Sequence, residues 1–274
     1  MKTFNILKLS FNMKQKNVFT YWSGPKYTLI KELEELMVLH AEGNYTLHLL
    51  NETNITDYIE VPENFSSLNP VQQSDYIRVA VICEYGGLWL DADTLVMGSL
   101  DPLFDYLETH DGFFMMENND HCVNGVFGSK KQTPFMTVWS GLNHIVTSNL
   151  VPLAEYSEML GIKAWGVNGV KVIRTLTSIG SPLLNSYKML QGLDTIYPVN
   201  WPELVEEFAE KPYENYKTIQ RDFQPLIVFA NSLYLHLKDV PQAELSEMDN
   251  ALAYFLKTSR EVAMSTKNEV PAQL

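Results

Sequence analysis

The sequence predicts an α/β fold: a mostly parallel central sheet flanked by helices, with a helical C-terminal part. Three observations lead there. A strand, helix, strand pattern runs from Asn17 to Leu50, the length of a right-handed crossover between parallel strands. A long apolar helical pattern then leads into the short apolar run Leu88-Trp89-Leu90. Finally, no internal repeat or Gly/Ser linker divides the 274 residues, which suffice for one large domain.

Taken in order, Asn17–Tyr21 reads as a strand closed by the turn cluster Trp22-Ser23-Gly24-Pro25. A helix follows, with Leu29, Leu33, Leu36, Met37 and Leu39 at helical spacing and Gly43-Asn44 as its stop. Tyr45–Leu50 alternates as a second strand. Asn69-Pro70 supplies an N-cap and a first-turn proline for a helix running to Tyr85, where Gly86-Gly87 ends it. This helix is nearly all apolar in its middle, which predicts burial, with Asp75 and Arg78 as the polar exceptions. Strands are predicted at Phe113–Met116 and Val123–Phe127, and helices at Pro134–Val146, Val167–Thr177, Pro182–Gln191 and Pro241–Lys257.

Composition narrows the function. Hydrophobic residues make up 46% and charged residues 19%, the balance of a globular protein. With 20 Lys+Arg against 33 Asp+Glu, the formal charge of −13 repels nucleic acid and anionic lipid, so no nucleic-acid partner is expected. A phosphate-bearing ligand would need a divalent cation or a well-placed arginine. The two cysteines, Cys83 and Cys122, form no C-x-x-C pattern and fit a reducing compartment. The apolar run before Asn17 is too broken for a signal sequence, and no transmembrane segment is seen, so a soluble cytoplasmic protein is expected.

The chemistry concentrates in Ser74-Asp75-Tyr76-Ile77-Arg78 and Leu90-Asp91-Ala92-Asp93. On an extended strand end, Asp91 and Asp93 project to the same side, and two converging carboxylates suit Mg²⁺ or Mn²⁺ with positions left for phosphate oxygens. Asp75 and Arg78 lie three apart on one helix face, as a ligand-facing pair or an idle ion pair. Alone, Asp-Ala-Asp also fits a solvated turn, Trp22 a core aromatic, Asn124 simple turn chemistry and His236 a structural histidine. His110, His121 and His144 show no metal-ligand spacing.

The run from Ser74 through Tyr85-Gly-Gly-Leu-Trp-Leu-Asp-Ala-Asp93 to Leu100-Asp101-Pro102-Leu103 resembles the Asp-X-Asp sugar transferases of glycosyltransferase family 32. These include capsular-polysaccharide transferases and α-mannosyltransferases and are related to the catalytic domains of glucosylating clostridial toxins. The resemblance extends more weakly to Val18–Gly24, Asn124–Ser129, Gly180–Pro182 and His236. It implies a GT-A-type nucleotide-sugar-binding fold, with residues 1–274 as one glycosyltransferase domain: 17–130 the nucleotide-sugar-binding half, 131–274 the acceptor side and C-terminal helices. It also implies Mn²⁺ or Mg²⁺ and retaining transfer from a nucleotide-diphosphate sugar to a hydroxyl acceptor such as a glycan. A UDP-sugar is the favoured donor and GDP-mannose the alternative.

Carried over by residue, the resemblance puts Asp93 on the metal and Asp91 on the ribose and metal. Asp75 would hold donor hydroxyls, Arg78 would reach the sugar or diphosphate, and Trp22 would stack on the base. Asn124 would face the sugar and His236 is the candidate further metal ligand. Two competing classes share part of this pattern. A haloacid-dehalogenase-type phosphatase shares Leu90-Asp-Ala-Asp-Thr94, but lacks its later Gly-Asp-x-x-x-Asp motif here. A catalytically silent sugar-binding protein is opposed by the intact Arg78, Asp91 and Asp93.

Overall fold

The computed structural model describes residues 16–117, 121–149, 168–192, 196, 205–210, 212 and 225–269. Residues 1–15, whose apolar run reads as too broken for a signal sequence, lie outside the described residues. Strand β1 (Asn17–Tyr21), helix α1 (Thr28–Ala41) and strand β2 (Thr46–Leu50) form the expected crossover, and β1 pairs with β2 in parallel. Helix α2 (Pro70–Tyr85) then returns the chain to strand β3 (Gly87–Leu90), parallel to β1 on its other side. Strand β4 (Thr94–Val96) and helix α3 (Asp101–Thr109) follow, then strands β5 (Gly112–Glu117) and β6 (His121–Ser129) and helix α4 (Pro134–Ser148). Helix α5 (Val170–Ser178), strand β7 (Tyr187–Gln191), strand β8 (Leu226–Val228), helix α6 (Gln242–Leu245) and helix α7 (Ala251–Glu269) complete the described elements.

The main sheet has the order β2-β1-β3-β6-β5-β7, with three parallel pairings and antiparallel ones at β3–β6 and β6–β5. Strand alternation divides its side chains between two cores. Phe19, Trp89, Phe114 and Phe127 pack under α2, α4 and α5, whereas Val18, Leu88, Leu90 and Phe113 meet Met37 of α1 and Leu103 and Phe104 of α3. A third core joins α1 to α7 through residues such as Leu33, Leu36, Leu252 and Leu256.

The structure corrects the sequence reading in three places. Pro182–Gln191 is not a helix: a 3₁₀ turn at Pro182–Leu184 leads into β7, which pairs with β5. Tyr187 decides this, because its ring stacks on Phe114 at 5.4 Å and its hydroxyl meets Ser129 Oγ at 2.7 Å and Thr133 Oγ1 at 2.6 Å. A sheet position that satisfies ring and hydroxyl together overrides a short helical pattern. The C-terminal helix is split at Ser246–Asn250, and its longer part begins where Asn250 Oδ1 accepts the Ala253 amide at 2.9 Å. Strands β4 and β8, three residues each, form a separate antiparallel pair that the sequence pattern did not reveal.

Gly87 is required where β3 enters the sheet. Its φ is 119°, and a Cβ there would lie 2.3 Å from the Asn17 carbonyl oxygen of β1.

A buried relay ties α1, α7 and β4 together. Ser259 donates its hydroxyl to the Val96 carbonyl at 2.6 Å, so His40 Nε2, 3.1 Å from Ser259 Oγ, is the donor to that oxygen. Beside it, Arg260 meets Glu32 at 2.5 Å. Burial pushes the His40 pKa down from 6.5 to about 4, against the opposing Ser259 contact. The unfolded chain therefore takes up this proton as pH falls through 6.5, while the folded chain resists until about 4. Stability from this site is complete above pH 6.5 and is lost between pH 6.5 and 4, by up to about 3 kcal/mol. Urea unfolding of wild type and His40→Gln at pH 7.5 and 5 checks this: the difference between the two proteins should shrink or reverse at the lower pH.

Candidate active site

Helix α2 carries the first half of the site. Its N-terminus is fixed by a reciprocal capping box, in which Asn69 Oδ1 accepts the Gln72 amide at 3.0 Å and Gln72 Oε1 accepts the Asn69 amide at 3.1 Å. Packed under α4 and against β1 and β3, the helix buries Asp75 and Arg78 to 4% and 5% exposure. Their three-residue spacing puts them on one face, with Arg78 Nη2 3.5 Å from Asp75 Oδ1.

Arg78 is the hub. Its Nη1 donates to the Asn124 carbonyl at 2.8 Å, its Nη2 to Ser74 Oγ at 2.9 Å and its Nε to the Ser74 carbonyl at 3.3 Å. The same Nη2 lies 3.1 Å from Asp91 Oδ1, and the guanidinium sits 5.4 Å from the Trp89 ring centroid. Trp89 Nε1 donates to that Asp91 oxygen at 2.8 Å, and Asn124 Nδ2 donates to Asp75 Oδ1 at 2.9 Å. One guanidinium thus holds two carboxylates, each with a second donor.

Electrostatics follow the burial. Desolvation pushes the Asp75 carboxyl up, and Arg78 and Asn124 pull it back without cancelling the shift. Asp91 is raised for the same first reason and lowered by Arg78 and Trp89. Its side chain is 29% exposed, against 6% for Asp75.

Asp91-Ala92-Asp93 departs from the extended strand end expected. It is a turn, in which the Thr94 amide donates to the Asp91 carbonyl at 3.0 Å, and it links the six-stranded sheet to the β4–β8 pair. Strand alternation therefore does not govern the two carboxylates; the turn does. Both sides of it are anchored, since the Asp91 amide donates to Gly125 at 2.8 Å and the Phe229 amide to the Asp93 carbonyl at 3.0 Å.

Trp22 is half-buried, edge-on to Tyr27 at 5.9 Å, with its Nε1 donating to the Pro25 carbonyl at 3.3 Å. It lines a small cavity with Tyr21, Glu34, Leu50 and Ala92, so the first strand's end and the Asp-Ala-Asp turn open on the same hollow. This hollow is no larger than a water molecule; it marks the carboxyl ends of β1 and β3, the end of an open α/β sheet at which ligands usually bind.

The structure therefore brings together Asp75, Arg78, Asn124 and Asp91; Asp93 lies two residues along the same turn, and Trp22 shares a small hollow with Ala92 of that turn. It does not gather His236, which is exposed on a 3₁₀ turn and stacked over Tyr234 at 6.3 Å. Among the described residues no group of three or more His, Cys, Asp and Glu could hold a metal ion. Two carboxylates from one turn are nevertheless an adequate hard-oxygen set for Mg²⁺ or Mn²⁺, which fill their shells with waters and phosphate oxygens. Sequence reasoning gave no role to Asn143, whose buried Nδ2 donates to the Asp75 carbonyl at 3.1 Å, or to Trp89 as partner of Asp91. No local spacing marks Asn143; Trp89 stood two residues from Asp91 within the motif.

Removing Arg78 leaves buried carboxylates uncompensated. Arg78→Met should cost about 3–5 kcal/mol in urea unfolding, with part recovered when Asp75→Asn is added.

The chain belongs to the capsular polysaccharide synthesis protein family, whose pattern matches residues 1–148. An uncharacterized protein of Arabidopsis thaliana is 24% identical over 200 residues, covering 69% of this chain; the chain spans 28% of the length of that relative. Solved structures similar to the chain include the glycosyltransferase GlyE of Streptococcus pneumoniae, at 13% identity and TM-score 0.47, covering 95% of this chain and 66% of that one. A glycosyltransferase involved in glycosylation of the major capsid of PBCV-1 is 11% identical with TM-score 0.47, covering 89% and 99%. The galactosyltransferase LgtC, at 13% and TM-score 0.46, covers 91% and 95%. The fold class is the expected one in its architecture, an α/β arrangement of a central sheet flanked by helices.

Proposed function

We propose that the chain is a metal-dependent glycosyltransferase that moves a sugar from a nucleotide-diphosphate sugar to a hydroxyl acceptor, a glycan, with retention at the anomeric carbon. The observation that carries this reading is the Arg78-centred cluster of Asp75, Asn124 and Asp91 beside the Asp91–Asp93 turn. Membership of the capsular polysaccharide synthesis family supports it.

In this reading Trp22 stacks on the base of the donor, a UDP-sugar before GDP-mannose, and the turn faces its diphosphate. Asp91 and Asp93 would hold a Mn²⁺ or Mg²⁺ ion, which supplies Lewis-acid stabilisation to the departing diphosphate. A chain of net charge −13 needs such a remedy before it binds a diphosphate. Asp75 and Asn124 orient the sugar hydroxyls. Arg78 acts through the carboxylates it fixes, since its donors are already committed to Ser74, Asn124 and Asp91.

Retention is what the resemblance to the Asp-X-Asp sugar transferases implies, and those carboxylates bear only on the route by which it would be reached. Asp75 is tied to Arg78 and Asn124, and Asp91 Oδ1 to Trp89 and Arg78, so neither is poised as a nucleophile. Attack by the acceptor hydroxyl on the face the diphosphate leaves, with a departing phosphate oxygen taking the hydroxyl proton, fits this arrangement. Residues 17–130 then form the donor half and 131–274 the acceptor side. Among the described residues no helix is long and apolar enough to cross a membrane. Cys83 and Cys122 are free thiols, which supports a cytoplasmic setting.

Calorimetric titration of UDP and GDP tests the site directly: binding is expected with Mn²⁺ or Mg²⁺ and should disappear in chelator, whereas equal affinity in chelator contradicts the reading. Asp93→Asn should abolish sugar transfer without lowering the melting temperature. Trp22→Ala should raise donor KM more than it lowers kcat; an aggregating variant would instead mark Trp22 as core.

A further inference from the structure

The residues that approach the Asp75 carboxylate are not all on its own helix or on β6. Gly169, at the amino end of α5, lies against it so closely that a Cβ built there would meet all three carboxyl atoms, Cγ at 2.2 Å, Oδ1 at 2.2 Å and Oδ2 at 2.3 Å. Distances this short admit no side chain while Asp75 keeps its place. With φ −121° and ψ −105°, Gly169 lies outside the left-handed region, and the close approach to Asp75 by itself leaves no room for a side chain.

Gly169 is held there from both sides. Asn168, fully buried, donates from Nδ2 to the Gln72 carbonyl of α2 at 2.8 Å and to Thr147 Oγ1 of α4 at 3.4 Å. One helical turn along α2, Asn143 of α4 donates to the Asp75 carbonyl. After Gly169 the chain enters α5, whose Ile173 and Leu176 are buried in the core shared with α2 and α4. The backbone at 168–169 is therefore fixed to the same turn of α2 that bears Asp75, and the positive end of α5 begins beside an ionisable group that burial tends to neutralise.

We propose that Gly169 is a positioning residue for Asp75. By having no side chain it lets the start of α5 close against the carboxylate, leaving Asp75 one orientation, toward Asn124 and Arg78, in which to receive the donor sugar. This rests on the proposed transferase function. Gly169 touches no reacting atom; it sets the aim of the group that does.

A double-mutant cycle tests it, using full-length wild type, Gly169→Ala, Asp75→Ala and the double variant. Strain that alanine brings to the backbone alone is common to both backgrounds and cancels, leaving the contact with Asp75. Gly169→Ala should lower the melting temperature by more in wild type than in the Asp75→Ala background. It should also cut kcat/KM for nucleotide-sugar cleavage by about 10-fold or more, as expected when an orienting group is displaced by about 1 Å. UDP affinity with Mn²⁺ should stay unchanged, because UDP lacks the sugar that Asp75 holds; a merely loosened fold would weaken it too. Equal melting losses in both backgrounds, or full activity in Gly169→Ala, would overturn the inference while leaving the transferase reading intact. A wild type that cleaves no nucleotide sugar would overturn the transferase reading and the positioning role with it, and the melting cycle would then report only on the contact.

Discussion

One buried guanidinium organises the molecule around its site. Arg78 is 5% exposed and lies between the carboxylates of Asp75, from its own helix, and Asp91, from the end of β3. Burying such a group is costly unless nearly every donor is used, and Arg78 uses Nε, Nη1 and Nη2 on Ser74, Asn124 and Asp91. That requirement fixes the distance from α2 to the β3 turn and to β6, three elements that come together only in the finished sheet. The rigidity has a use: a carboxylate held by two donors keeps its aim without reorganising when a ligand arrives.

The Asp91–Asp93 turn depends on a second layer of support. It leads directly into β4, which is paired with β8 and held by Ser259 of α7 through Val96. The C-terminal helix, distant in sequence, thereby helps fix the turn, and α1 shares in this through His40 and Glu32. Glycine plays a matching part at both carboxylates. A Cβ on Gly125 would stand 2.8 Å from Asp91 Oδ2, as one on Gly169 would crowd Asp75, so backbone rather than side chain forms one wall at each acid.

The elements that could be read from the sequence were those whose cause is local. Asn69-Pro70 and Gly86-Gly87 mark both ends of α2, and the apolar pattern between them announces its burial. The grouping of Asp75, Arg78, Asp91 and Asn124 was also legible, because the first three lie in one motif and Asn124 in a second. Features with distant causes were not. Tyr187 makes β7 a strand through partners at Phe114, Ser129 and Thr133, while β4 and β8 stabilise each other across more than a hundred residues. Asn143 and Gly169 act on Asp75 from α4 and α5, which no spacing within the motif could show. For Asp-Ala-Asp the sequence left a strand end and a turn both open, because the two share the same residues until the Thr94 amide closes the ring.

The central claim is that the Arg78 cluster forms the sugar end of a nucleotide-sugar site. Its most direct test is a panel of nucleotide sugars incubated with Mn²⁺, scored for released nucleoside diphosphate, with wild type and Arg78→Lys side by side. Lysine keeps the charge but not the planar fork that serves Asn124, Ser74 and Asp91 together. The account predicts that wild type cleaves one donor of the panel and that Arg78→Lys loses about 10-fold or more in kcat/KM. No cleavage of any nucleotide sugar, with phosphate-ester hydrolysis that is indifferent to Arg78→Lys, would contradict it.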